Sequence, residues 1–117
     1  MAVAGCGGSD ASNPRQPLSA AAERGRQVAA ENGCGTCHTI DGSRSTGPTW
    51  EGLAGAEVDV EGGGHVTADE TYLRKAITDP RAETVAGYPN IMPRYPDLST
   101  GAVDDLVAYL QALSNGR

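Results

Sequence analysis

The sequence predicts an all-α domain of three or more helices, packed around something the chain does not itself encode. Three observations carry this. Three segments combine capping residues with helical apolar spacing. No strand pattern and no internal repeat emerges anywhere along the 117 residues, a length suited to one domain. The apolar inventory is also sparse: no Phe, one Trp (Trp50), four Tyr and 16 Gly, which would make a thin core for a chain of this size.

Residues 1–18, MAVAGCGGSDASNPRQPL, have the composition of a flexible linker. Within them Val3-Ala4-Gly5-Cys6 resembles a bacterial lipobox, in which the Cys carries a lipid. Only five residues precede Cys6, with no basic segment or full apolar run among them. The alternative is a tail with a stray thiol. The folded domain is expected over 19–117. Ser19 can cap a first helix from Ala20 towards Asn32, and Gly33 can end it in a left-handed conformation. Residues 39–66 are Gly-rich and weakly periodic and read as loop. Thr67 and Glu70 have capping-box spacing for a second helix, which should run to about Thr78 and stop before Pro80. Tyr72, Leu73, Ala76 and Ile77 share one of its faces. Residues 79–98 hold four Pro and one Gly and read as a long loop. Ser99 or Thr100 opens a last helix with an apolar stripe of Val103, Leu106, Val107, Leu110 and Leu113.

The formal charge of -6 makes the chain a poor candidate for binding nucleic acid or an anionic membrane through charge. No apolar run approaches the length of a membrane span. Contact with a membrane would go through a lipid on Cys6 or through a partner. Glu51, Glu57, Asp59 and Glu61 read first as a solvated loop and second as a steering surface for a basic partner.

Cys34-Gly35-Thr36-Cys37-His38 is the C-x-x-C-H pattern of covalent haem attachment. Two thiols at this spacing can reach both vinyl groups on one side of a porphyrin, and the next side chain is then carried under the iron. A zinc site would need four N or S ligands, and beyond these residues only Cys6 and His65 remain. A thioredoxin-like pair would need a βαβ context that the chain lacks.

With these residues the chain resembles the class I cytochromes c over roughly residues 19–116. The resemblance implies helices wrapped around one haem c, attached through Cys34 and Cys37 and ligated by His38. It also implies a sixth ligand on the loop before the last helix. Of two methionines, Met1 starts the chain and Met92, followed by Pro93, lies on that loop. His65 is the rival, and its ligation would lower the potential. Gly47-Pro48 looks like the family's Gly-Pro pair, whose carbonyl, here that of Pro48, would accept a hydrogen bond from His38; an ordinary turn is the alternative. Trp50 would pack on the haem edge or bond a propionate, and Tyr72, Tyr88, Arg74 and Arg94 are further candidates for cofactor contacts. Gly25, Val28 and Ala29 fall where the family's first helix crosses its last, and Tyr109 faces that crossing.

Residues 69–113 are most similar to the cytochrome c domain of haem–copper oxidase subunit II and to the monohaem lipoprotein subunit of alternative complex III. The implied function is one-electron transfer, not catalysis. Electrons would pass from a quinol-oxidising complex to a terminal oxidase or another acceptor, at the periplasmic or extracytoplasmic face of the membrane. Two classes compete: a haem enzyme or gas sensor with a displaceable sixth ligand, and a structural subunit whose haem relays electrons inside a larger complex.

Overall fold

The computed structural model describes residues 17–114. Cys6 and the lipobox-like run around it lie outside the described residues. Helix α1 spans Ala20–Glu31. Its first turn is closed by the Ser19 hydroxyl, which accepts from the Ala22 amide at 3.1 Å. The helix stops at Asn32, and Gly33 follows with φ 70°, the left-handed conformation that glycine adopts without steric cost. A 3-10 turn, Cys34–Thr36, follows directly.

The segment 39–66 is not wholly loop. Two three-residue strands, β1 (Glu57–Asp59) and β2 (His65–Thr67), pair antiparallel with Glu57 opposite Thr67, Val58 opposite Val66 and Asp59 opposite His65. The connection is closed by Gly62, Gly63 and Gly64, all at positive φ. Strands this short, with Val58 the one buried residue of either, carry too little alternation to register as a pattern.

Helix α2 spans Glu70–Thr78, and here the expected cap is corrected. Asp69 is the N-cap, its carboxylate accepting from the Tyr72 amide at 2.9 Å. Thr67 is held in the hairpin instead, its hydroxyl donating to Glu57 at 2.6 Å. The helix ends at Thr78, ahead of Pro80, as the spacing predicts. Residues 79–98 form no helix or strand; an isolated bridge joins Val85 to Val60. Helix α3, Thr100–Ala112, is capped by Ser99, and all five residues of its apolar stripe are buried.

The frame is the crossing of α1 and α3. A Cβ on Gly25 would stand 2.0 Å from the Asp105 carbonyl oxygen and 2.8 Å from the Tyr109 Cβ, so the two backbones meet where only hydrogen fits. Arg24 reinforces the crossing from outside with a two-pronged pair to Asp105, at 3.1 and 3.2 Å. Arg74 ties α2 to α3 by pairing with Asp104 while also bonding Glu70 of its own helix. The core between the helices contains Leu73 and Ile77 from α2, Ala29 from α1, the α3 stripe, Trp50, Val58 and Ala68. No helix among the described residues is long and apolar enough to cross a membrane.

Gly25→Ala is expected to lose more than about 2 kcal/mol of stability in denaturant titration, because backbone on the facing helix cannot yield as a side chain can. Gly101→Ala, on α3 with only Ser99 Oγ within 4 Å of the new methyl, should stay within about 1 kcal/mol of the wild type or exceed it.

Candidate functional site

The end of α1 delivers the Cys-x-x-Cys-His segment. The Cys37 and His38 amides both donate to the Cys34 carbonyl, at 3.2 and 3.1 Å, which winds the segment tightly enough to bring both thiols and the imidazole to one side of the fold. Both thiols are free and half-buried. Burial pushes the Cys34 thiol pKa up, favouring its neutral form.

His38 is held on three sides. Its Nδ1 lies 2.8 Å from the Pro48 carbonyl oxygen. A carbonyl can only accept, so Nδ1 carries the proton and Nε2 keeps its lone pair. Gly47 packs along the ring edge, where a Cβ would stand 2.6 Å from Cε1 and 2.8 Å from Nδ1. The Gly47 amide is fixed in turn by the Cys37 carbonyl at 2.7 Å. The Trp50 ring stacks on the imidazole, with centroids 5.2 Å apart and planes at 25°, and meets Tyr109 of α3 edge-on at 6.0 Å. Burial lowers the His38 pKa, partly opposed by the Pro48 carbonyl, so the ring is held neutral, the state a metal ligand requires.

These residues form one wall of a large, mainly apolar cleft with about 1120 Å³ of empty space, part of it open to solvent. Leu73, Ala76 and Ile77 of α2, Leu110 of α3 and residues of the loop from Pro80 to Tyr95, including Met92, line the rest of it. That loop has no regular structure of its own. Arg81 Nε donates to the Met92 carbonyl at 3.3 Å, Arg94 pairs with Asp79 at 3.3 Å, and Arg44 Nη2 donates to the Gly87 carbonyl at 2.6 Å. Near its far end, burial raises the Tyr95 pKa, and Cys34 and Cys37 are close enough to add to the effect.

Cys34, Cys37, His38, Pro48, Trp50 and Met92 all line this one cleft. Tyr72 and Tyr88 line it too. Arg74 and Arg94 do not; their guanidiniums are taken by Glu70, Asp104 and Asp79. His65 sits on the exposed hairpin, 3.8 Å from Asp59, and is not among the cleft residues. The stacking of Trp50 on His38 and the tie from Arg44 have no sequence signal, since both are contacts between loop residues without periodicity.

A mostly apolar group fits such a cleft, and a neutral imidazole and a thioether among its lining residues are donors that suit iron. The family profile described as cytochrome c matches residues 22–114. Over 99 residues the chain is 33% identical to the cytochrome c oxidase subunit 2 of Alkalihalophilus pseudofirmus, which covers 84% of this chain and 27% of that protein. This chain therefore spans little more than a quarter of that relative's length. The chain belongs to the cytochrome c family. Membership implies a haem, and the helical fold is that of the class I cytochromes c.

Gly47→Ala is expected to drive the imidazole off the Pro48 carbonyl and to lose about 1–3 kcal/mol of stability. The check is the His38 Nδ1 proton in nitrogen-resolved NMR, which should exchange with solvent faster in the variant.

Proposed function

We propose that the protein is a one-electron carrier and not an enzyme, using a single haem c attached by thioethers at Cys34 and Cys37 and ligated by His38 and Met92. The observation that carries this reading is that the three motif residues and Met92, far apart in the sequence, line one and the same cleft. The haem, when bound, supplies an iron that gains or loses one electron.

The chain's own residues do the rest. His38 is aimed by the Pro48 carbonyl, which also raises the basicity of the ligating nitrogen. Trp50 and Gly47 prevent the ring from turning. With His38 and Met92 both engaged, no coordination position remains for oxygen or substrate, which suits a carrier and not an oxygenase or sensor. A neutral thioether favours the reduced iron and raises the potential. The apolar helix faces keep water from that side of the cleft, which limits the solvent reorganisation that accompanies a change of charge.

The likeness to an oxidase subunit 2 supports respiratory redox partners; in this reading they are a quinol-oxidising complex such as alternative complex III on one side and a haem–copper oxidase on the other. Docking of this kind uses small, weak interfaces. The protein would work at the periplasmic or extracytoplasmic face of the cytoplasmic membrane, held there by a lipid on Cys6. Mass spectrometry of the membrane-bound protein checks that last point, through a diacyl adduct on Cys6.

Visible and near-infrared spectra of the oxidised and reduced holoprotein test the ligand set. The expected result is a low-spin haem with the charge-transfer band of a thioether on ferric iron and no shift on adding carbon monoxide. A high-spin, gas-binding haem would instead put the enzyme or sensor reading first. Met92→Ala should abolish the band and admit carbon monoxide. Met92→His should stay low-spin with a lower potential.

A further inference from the structure

We propose that Arg44 is a positioning residue for the sixth ligand, strapping the loop that carries Met92 to the loop that follows the His38 motif. The inference rests on Met92 as ligand and adds a determinant of how firmly it is held.

Six arginines lie among the described residues. Arg24, Arg26, Arg74 and Arg94 pair with carboxylates. Arg44 and Arg81 form no ion pair among the described residues. Both are directed at backbone carbonyls of the Met92 loop, those of Gly87 and Met92. Of the two, only Arg44 reaches across from the His38 side.

Arg44 makes two contacts at once. Besides its 2.6 Å bond to the Gly87 carbonyl, its guanidinium lies 4.2 Å from the centroid of the Tyr88 ring, the geometry of a cation–π contact. Gly87 has φ 87°, a left-handed conformation that favours glycine, and its amide is held from the other direction by Glu61 at 3.3 Å. Tyr88 lines the cleft, and Met92 follows four residues later, a span of about 14 Å at most. The base of the strap is rigid. Thr39 bonds the Ser43 carbonyl at 2.7 Å, Asp41 accepts from the Ser43 amide and hydroxyl at 3.0 and 2.7 Å, and the Trp50 amide closes on the Thr39 carbonyl at 2.8 Å. A tie from this base to Gly87-Tyr88 therefore limits how far the Met92 side of the cleft can move away from His38.

The test is displacement of the sixth ligand from the ferric holoprotein by imidazole, followed through loss of the thioether–iron band. Arg44→Ala should bind imidazole roughly fivefold more tightly than wild type, the size of a lost cation–π contact and one charge-assisted hydrogen bond at an exposed site. Arg44→Lys, which keeps a cation over Tyr88, should lie between the two. Arg24→Ala removes an exposed arginine from the α1–α3 crossing and should leave the affinity unchanged. An unaltered affinity in Arg44→Ala overturns the strap, as does an equal shift in Arg24→Ala, which would mark general loosening. A wild-type protein without the thioether band overturns the reading of Met92 itself, and the strap with it.

Discussion

The close approach of α1 and α3 at Gly25 is the constraint on which the remaining structure depends. Each helix brings something to it. The C-terminal end of α1 leads straight into the cysteine–histidine segment, and α3 buries its full apolar stripe and presents Tyr109 to the Trp50 ring. Once the two backbones are in contact, the motif, the tryptophan that braces His38 and the floor of the cleft are placed together. The α2 helix then needs only to close one side, which it does through Leu73 and Ile77 and the tie from Arg74 to Asp104. A chain without phenylalanine can hold this frame because the core between the helices is built from small and branched side chains with Trp50 and Tyr109.

The two walls of the cleft are built on different principles. The His38 wall is determined by backbone: Gly47, Pro48 and the Cys34 carbonyl leave little freedom to the imidazole. The Met92 wall has no helix or strand of its own and depends on side chains and hairpin backbone reaching in from elsewhere. The Glu61 amide bonds the Thr84 carbonyl at 2.8 Å and the Ala86 amide bonds the Asp59 carbonyl at 2.9 Å. The small hairpin thus acts as a buttress for the first half of the loop. His38 is in effect part of the frame, while Met92 hangs on a network of individually weak ties, most of them exposed to solvent.

Much of this was legible before the structure. Ser19 and Ser99 cap where their positions suggest, Gly33 ends α1, Pro80 follows the end of α2, and the Val103–Leu113 stripe is buried, because each reports a local or strongly periodic preference. The Cys34–His38 segment stood out because its pattern is one of short spacing, and the fold sets Cys34, Cys37 and His38 along one cleft. The hairpin was hidden because three-residue strands around a glycine run leave no period to detect. The Thr67 cap misled because its hydroxyl found a cross-strand partner in Glu57, and the neighbouring Asp69 took its place. Arg44 and the Trp50–His38 stack were beyond reach for a different reason: they depend on how two loops are folded, which no local preference encodes.

The position of Trp50 has an optical consequence. It is the only indole in the chain, and it lies against the imidazole ring of His38. Its emission therefore reports on one place, the wall where the iron would be ligated, without a second tryptophan to obscure it. A haem seated there would quench that emission by energy transfer, and any loosening of the wall or loss of the cofactor would restore it. The protein thus carries an intrinsic fluorescent gauge of its own site, readable at low concentration and without a label.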